Sequence, residues 1–452
     1  MSTDKISIGN YRWRICALLF FATTINYIDR NVLSFAMIDG FFRKEMLGLP
    51  EDALLTQADT DRFKEMMGYV DAAFKMAYAI GFLIIGYVID RLGTRKGFSI
   101  AISVWSIAGV LNGFVGSVRG LIGTRFLLGL GEAGNFPSAV KTVAEWFPRK
   151  ERSFAAGLFN AGANIGVIVT ALAVPFITVK YGWRASFVVT GLLGFAVLIF
   201  WRLMYRKPED HPKLGKSELA YINSDKDEIA TEKISWLKLL KHRQTWAFAV
   251  GKFMADPIWY FYLTWLPDFF NSSESLEQKL DLKNIGLPFI IIYLVSDGGS
   301  IFFGWLSSRL IQKGWTVNNA RKITMLICAL CVVPIVFAST TTSVHLAVAL
   351  IALAAAAHQG WSANMYTLAS DMFPKTNVGS VVGIGSMFGA IGGVLFAAST
   401  GIIRVKFGYI PLFAIAGIAY LIALVLIHLL APKLDKIETV IAKEERLKQS
   451  LN

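Results

Sequence analysis

Trp146-Phe147-Pro148-Arg149-Lys150, followed by Gly157 and Gly166, returns later in the chain as Met372-Phe373-Pro374-Lys375, followed by Gly383 and Gly392. Each anchor recurs 226 residues on, half of the 452-residue chain, and Glu145 and Asp371 stand at the same offset. One such match is weak, but several anchors at one spacing mark an internal repeat. Around them the chain is 54% hydrophobic and only 17% charged, with a mean hydropathy of +0.51. Soluble globular proteins carry about 25% charged residues, so the deficit points to lipid as the solvent. Runs of about 20 apolar residues recur throughout, each able to cross roughly 30 Å of hydrocarbon as a helix.

Such spans are expected near residues 13–38, 68–90, 97–117, 119–142, 152–178 and 184–205, and again near 243–270, 285–311, 320–341, 345–371, 378–402 and 409–431. The first run, Ile15 to Met37, is too long for a signal peptide and carries Asp29 and Arg30, so a spanning helix is expected there. An even number of spans puts both termini on one side, and Lys and Arg choose that side. Arg12, Arg14, Arg91, Arg95, Lys96, Arg149, Lys150 and Arg152 lie on it, with the basic stretch Arg206 to Arg243 and the Lys-rich tail. The longest loop opposite, 39–67, is acidic. The expectation is an all-α membrane protein of twelve transmembrane helices in two pseudo-symmetric six-helix bundles, with both termini cytoplasmic. The boundaries expected are 1–205 for the N-terminal bundle, 206–242 for a cytoplasmic linker, 243–431 for the C-terminal bundle and 432–452 for a cytoplasmic tail. Parallel halves of this kind mark a transporter architecture.

The net charge of +13 raises nucleic acid as a partner, but the basic residues alternate with spans and form no continuous face. Cys16, Cys328 and Cys331 all fall in apolar runs, which suits inert thiols better than a disulfide framework or a zinc site.

Charge inside the apolar runs is costly and faces a cavity or a partner. Arg30 lies roughly 24 Å along the first span, and Asn26 and Tyr27 share its helical face by i+4 and i+3 spacing. A guanidinium beside a phenol and an amide suits a carboxylate ligand that also carries hydroxyls. The plainer alternative, mutual neutralisation of Asp29 and Arg30, suffers because consecutive helical residues point roughly 100° apart. In the fourth span Arg125 and Glu132, seven residues apart, share a face. A carboxylate in a low-dielectric site exchanges a proton near neutral pH, so Glu132 and Asp29 are candidate proton sites and Arg125 a candidate coupling residue; a permanent salt bridge is the alternative. Glu132 maps by the 226-residue offset onto His358, beside Gln359, as either a polar wall of the cavity or a satisfied interior histidine. Lys252 and Asp256 are expected to form an i, i+4 ion pair, with substrate contact by Lys252 as the alternative. Asn160 and Asn164 lie in a glycine-rich stretch whose small residues serve helix packing.

Gly86-Tyr-Val-Ile-Asp90-Arg91-Leu-Gly93-Thr-Arg95-Lys96 resembles the loop motif of the major facilitator superfamily, which in that family latches the cytoplasmic side. Its counterpart, Gly304-Trp-Leu-Ser-Ser308-Arg309, lacks the acidic residue, so a weaker latch is expected there. With Tyr27-Ile-Asp29-Arg30, Gly131-Glu132-Ala-Gly134-Asn135-Phe-Pro137, Pro208-Glu-Asp-His-Pro212 followed by Ser217-Glu218, and Gly314-Trp-Thr-Val-Asn-Asn-Ala-Arg321-Lys322, the whole chain resembles the anion:cation symporter family of that superfamily. Ala357-His358-Gln359, Thr367-Leu-Ala-Ser-Asp371-Met-Phe373 and the Lys252–Pro257 element look most like its hexuronate transporters. The resemblance implies proton-driven uptake of glucuronate or galacturonate across a bacterial inner membrane by a monomer, with protons as coupling ion and no other cofactor. It implies Arg30, Tyr27, Tyr78, Asn164, Lys252, His358 and Gln359 as substrate contacts, Glu132 and Asp29 as proton sites, and Arg125 as coupling residue. Asn164 stands where aldonate carriers have Gln and Tyr366 where they have Trp, which argues against an aldonate. The alternatives are a symporter of aldonates or another organic carboxylate, an uncoupled facilitator or exchanger, and a membrane enzyme or receptor. Against the last, no phosphate loop, metal cluster or nucleophile elbow is present in the sequence.

Overall fold

Apolar segments in lipid can satisfy their backbone N–H and C=O groups internally only as helices or closed barrels, and the described residues adopt helix throughout. The computed structural model describes residues 9–224, 234–272, 275–277 and 286–437. The expected tail beyond 437, residues 225–233 of the expected linker and residues 1–8 of the expected N-terminal bundle lie outside the described residues.

In chain order the helices are α1 (Tyr11–Ala36), α2 (Gly40–Leu47), α3 (Gln57–Leu92), α4 (Thr94–Asn112), α5 (Val118–Glu132), α6 (Asn135–Trp146), α7 (Arg149–Tyr181), α8 (Trp183–Met204), α9 (Lys216–Ile222), α10 (Trp236–Leu239), α11 (Arg243–Ser272), α12 (Gly286–Gln312), α13 (Val317–Val332), α14 (Val344–Met372), α15 (Val378–Phe407) and α16 (Ile410–Leu430). Among the described residues eight helices are long and apolar enough to cross a membrane, on α3, α7, α8 and α12 to α16. Outside that set stand α1, α4, α5 with α6, and α11; α5 (15 residues) and α6 (12 residues) are each too short to cross alone, and α1 and α11 carry buried ionisable residues. The repeat is visible in the backbone. Gly182 (φ 83°) and Gly408 (φ 73°), again 226 residues apart, take the left-handed region between α7 and α8 and between α15 and α16, where a Cβ would be strained.

The chain divides into two compact units. One comprises Arg14–Ala139 and Gly162–Arg206. In it α3 packs on α5, and α4 packs on α5 and α8. Residues 119–142, expected as one continuous span, are instead broken at Ala133-Gly134, so that α5 ends on Glu132 and α6 begins at Asn135. Two causes are local. Pro137 has no N–H for the Ala133 carbonyl, and a Cβ on Gly131 would lie 2.5 Å from the Trp105 backbone nitrogen, so α5 can approach α4 only through glycine. The amphipathic α2 caps this unit: Phe42, Met46 and Leu47 bury against Phe63, Met67, Val70, Trp183 and Phe187, and Glu45 pairs with Arg184.

The other unit comprises Met1–Trp13, Val140–Ala161 and Lys207–Asn452. There α12 packs on α14, and α11 on α15 and α16. The short helix α9 is tied down by buried charge. Glu218 accepts from the backbone N–H groups of Tyr11 and Arg12 at 3.0 Å each and from Arg12 Nη1 at 3.1 Å. Arg12 Nε reaches Glu151 at 2.8 Å, and Tyr221 donates to Glu151 at 2.9 Å. His211 closes the cluster against Tyr11 and Trp146, with ring centroids 4.3 and 5.5 Å away. Linker residues are therefore packed against the starts of α1 and α7. Removing one partner of a buried ion pair costs about 3 kcal/mol or more. Glu218→Ala is expected to lower the thermal midpoint of the detergent-solubilised protein by that cost, and an unchanged midpoint would show that this contact contributes nothing to stability.

Candidate functional site

The first polar centre lies within the unit containing α3 to α5. On α1, Arg30 stands with its guanidinium 4.6 Å from the ring of Tyr27, and across from it α3 supplies Tyr78 at 4.5 Å and Phe74 at 5.5 Å. Cation–π contact of this kind holds a guanidinium without consuming its N–H donors. Arg30 Nε donates to Glu132 Oε2 at 2.8 Å, where Glu132 is fully buried at the end of α5. Arg125 lies two turns back along α5 with Phe74 5.0 Å from its guanidinium, and it donates to the Arg30 carbonyl at 3.1 Å. The ion-pair partner of Glu132 is thus Arg30 and not Arg125, although Arg125 shares its helix face. Buried hydrogen-bonding capacity is left over: Arg30 Nη2, Arg125 Nε and Nη1, Glu132 Oε1 and both amide atoms of Asn26 have no partner in the protein. Native structures leave few such atoms. A carboxylate and hydroxyls are the chemistry these donors and acceptors fit.

Asp29 belongs to a different surface of α1. Its carboxylate is buried and borders the seam between α4 and α8, where a methyl placed on Gly109 would sit 3.7 Å from its Cγ and 3.1 Å from the Gly191 Cα. It makes no ion pair with Arg30, as the 100° step between neighbours requires. Asn164, also expected at the site, is buried on α7 in the same unit. Lys75 pairs with Asp71 at 2.7 Å on an exposed face in the middle of α3.

A second polar group forms within the unit that contains α11 to α16. Lys252 and Asp256, on consecutive turns of α11, pair at 2.9 Å, and Lys252 Nζ reaches the Tyr366 hydroxyl at 3.4 Å. His358 stacks on Trp259, with centroids 4.9 Å apart and planes 6° off parallel, while its Nδ1 lies 2.5 Å from the Tyr420 hydroxyl. Gln359 Oε1 accepts from Asn160 at 2.7 Å, and Asn160 also donates to Ser300 at 3.1 Å. Tyr366, Trp259, Tyr420 and Phe74 were missed as members of these groups from sequence, because an aromatic residue inside an apolar span carries no signal that separates a cavity wall from packing. Among the described residues no group of three or more His, Cys, Asp or Glu is arranged to hold a metal ion.

In the loop motif, Gly93 (φ 82°) joins α3 to α4, Gly86 and Asp90 are buried, and Arg91 is exposed. Arg95 donates to the Arg202 carbonyl at 2.6 Å. In the second half Ser308 stands in place of the acidic residue, as the sequence has it, and a different carboxylate gathers the basic residues nearby. Arg321, at the 226-residue offset from Arg95, is wholly buried and bonds Asp371 at 2.9 Å, with Arg152 at 3.4 Å and Arg149 at 4.0 Å from the same carboxylate. Arg321 also donates to Ser153 and to Ser307. The acidic residue lost at position 308 is replaced by one from the end of α14, which pairwise comparison of the two loop motifs cannot reveal.

Helices of membrane-crossing length, built as a repeat around buried arginines and carboxylates, define a membrane transporter of the facilitator type. The family model that matches is the Major Facilitator Superfamily, over residues 19–397, and the chain belongs to that superfamily. It is 29% identical over 417 residues to the hexuronate transporter of Escherichia coli (strain K12), covering 91% of this chain and 92% of that one. It is 30% identical over 400 residues to the probable galactarate/D-glucarate transporter GudP of Bacillus subtilis (strain 168), covering 85% and 83%. The solved structure of the proton:xylose symporter XylE superposes with a TM-score of 0.72 at 16% identity, covering 96% of this chain and 98% of that one, and shows the shared fold. The curated relatives are transporters of sugar acids.

Arg30→Ala leaves Glu132 buried and unpaired, at a cost of about 3–5 kcal/mol. The double variant Arg30→Ala/Glu132→Gln is expected to unfold at a higher temperature than Arg30→Ala alone, since it removes the stranded charge. Strictly additive midpoints across this mutant cycle would show that the two residues are not coupled.

Proposed function

We propose that the protein is a secondary active transporter that carries a hexuronate such as glucuronate or galacturonate into the cell together with protons. The observation that carries this reading is the set of unsatisfied donors on Arg30 and Arg125 beside the buried Glu132 carboxylate. In the proposed cycle a proton taken up by Glu132 removes its hold on Arg30. The Arg30 guanidinium, kept in place by Tyr27, Tyr78 and Phe74, then clamps the carboxylate of the sugar acid, and Asn26 and Asn164 offer amides to its hydroxyls. Loss of the proton on the inner side restores the Glu132 carboxylate as a competitor for Arg30, and the anion leaves. Arg125 senses both states through Glu132 and the Arg30 backbone; Asp29 is the second candidate proton site. Alternating access is carried out by twelve spans in two six-helix bundles with both termini in the cytoplasm, in a bacterial inner membrane and as a monomer. His358, Gln359 and Lys252 are the further substrate contacts proposed. Because Asp256 already neutralises Lys252, a substrate with one carboxylate suits this pattern better than a dicarboxylate.

Proteoliposomes with an inward proton gradient are expected to accumulate labelled glucuronate or galacturonate above equilibrium, and a protonophore to abolish the accumulation. Uptake that ignores the gradient would remove the coupling, and no uptake of either sugar acid would remove the substrate class. Glu132→Gln is expected to lose gradient-driven accumulation and to keep counterflow exchange. Retention of both activities would transfer the coupling role to another residue.

A further inference from the structure

The ends of α3, α4 and α8 gather five basic residues that the transport cycle does not use as ligands. Arg91 closes α3, Arg95 and Lys96 open α4, and Arg202 and Arg206 lie at the end of α8 and just beyond it. All belong to one compact unit. The helices are fastened to each other there: Arg95 Nη2 donates to the Arg202 carbonyl at 2.6 Å, and Trp201 Nε1 donates to the Arg95 carbonyl at 3.1 Å. Arg95 Nε is buried without a partner. Arg91, Lys96, Arg202 and Arg206 are exposed. Among the described residues none of the five forms an ion pair with a carboxylate, whereas Arg12, Arg149, Arg152, Arg184 and Arg321 each do. Burial and the like charges of Arg202 and Arg206 push the Arg95 guanidinium below its usual range. A helix C-terminus favours a cation in its last turn, which accounts for Arg91 and Arg202 singly but not for five cations without an anion.

The surroundings say what kind of anion fits. On the same helices the exposed neighbours are apolar: Tyr87 and Leu92 on α3, and Ile199, Phe200 and Leu203 on α8. Trp201 and Tyr205 stack beneath the cluster at 4.0 Å. The cations therefore sit where a hydrocarbon-facing surface meets water, with aromatic rings at that boundary, as membrane interfaces favour. A free phosphate would gain nothing from Leu203 or Ile199, but the acyl chains of a phospholipid would lie along them. We infer that Arg95, Arg202 and Arg206, flanked by Arg91 and Lys96, form a binding site for the phosphate headgroup of an anionic phospholipid at one membrane boundary. Basic pockets between spanning helices bind such headgroups elsewhere. The inference rests on the membrane-spanning assignment and is independent of the transported substrate.

The test is lipid retention by the purified full-length protein in neutral detergent, read by native mass spectrometry during titration with phosphatidylglycerol, cardiolipin or phosphatidylcholine. Wild type is expected to bind the two anionic lipids with a half-saturation roughly thirtyfold below that of Arg202→Gln/Arg206→Gln, two positive charges being removed. Phosphatidylcholine is expected not to distinguish them. Arg202→Lys/Arg206→Lys is expected to stay close to wild type, which separates loss of charge from misfolding. Equal retention of anionic lipid by wild type and the Gln variant would overturn the proposal. Displacement of bound lipid by millimolar inorganic phosphate would also overturn it, in favour of a simple ion site.

Discussion

A guanidinium and a fully buried carboxylate 2.8 Å apart set the terms for the unit that contains them. Neither Arg30 nor Glu132 is stable there alone, since an unpaired buried charge costs several kcal/mol. Their pairing ties α1 to α5. The break at Ala133-Gly134 leaves Glu132 at a helix end, and the glycines at 129 and 131 bring α5 within contact of α3 and α4. The aromatic residues on α1 and α3 fix the guanidinium by its faces, which keeps its edges available. A stable pair with spare donors is what a reversible anion carrier requires: strong enough to hold the empty site together, and open to competition from a substrate carboxylate.

Charge is used differently away from this centre. At Asp371 three arginines converge on one carboxylate, and further hydrogen bonds from Arg321 go to Ser153 and Ser307. At Glu218 and Glu151 two carboxylates share Arg12, and a short linker helix is pinned by them. Both clusters tie segments far apart in sequence, with little donor capacity left over. The three clusters are all buried and differ in satisfaction: only the Arg30–Glu132 group leaves several buried donors and acceptors without a partner in the protein. The basic group at the ends of α3, α4 and α8 is the reverse case, cationic and, among the described residues, without an ion-pair partner.

The polar residues of α11 and α14 show how far side-chain chemistry depends on neighbours. Lys252 alone would be a second anion ligand, yet one turn away Asp256 neutralises it. His358 alone would be a donor or a proton carrier, yet Trp259 covers its face and Tyr420 engages its Nδ1. The polar groups of α11 and α14 are thus close to neutral as a set, which is suited to hydroxyls.

The sequence by itself determined the helical class, the half-length repeat and the positions that carry charge inside apolar runs, because each of these is a matter of spacing along one chain. Arg30 with Tyr27 and Asn26, and Arg125 with Glu132, were legible as same-face sets for that reason, and so was the Lys252–Asp256 pair, which follows from i, i+4 geometry. Partner choice between helices was not legible. That Glu132 takes Arg30 and not Arg125, that Asp29 turns to the Gly109 seam, and that Arg321 meets Asp371 were decided by tertiary structure alone. A helical face specifies which residues look outward in the same direction. Only packing specifies what they meet.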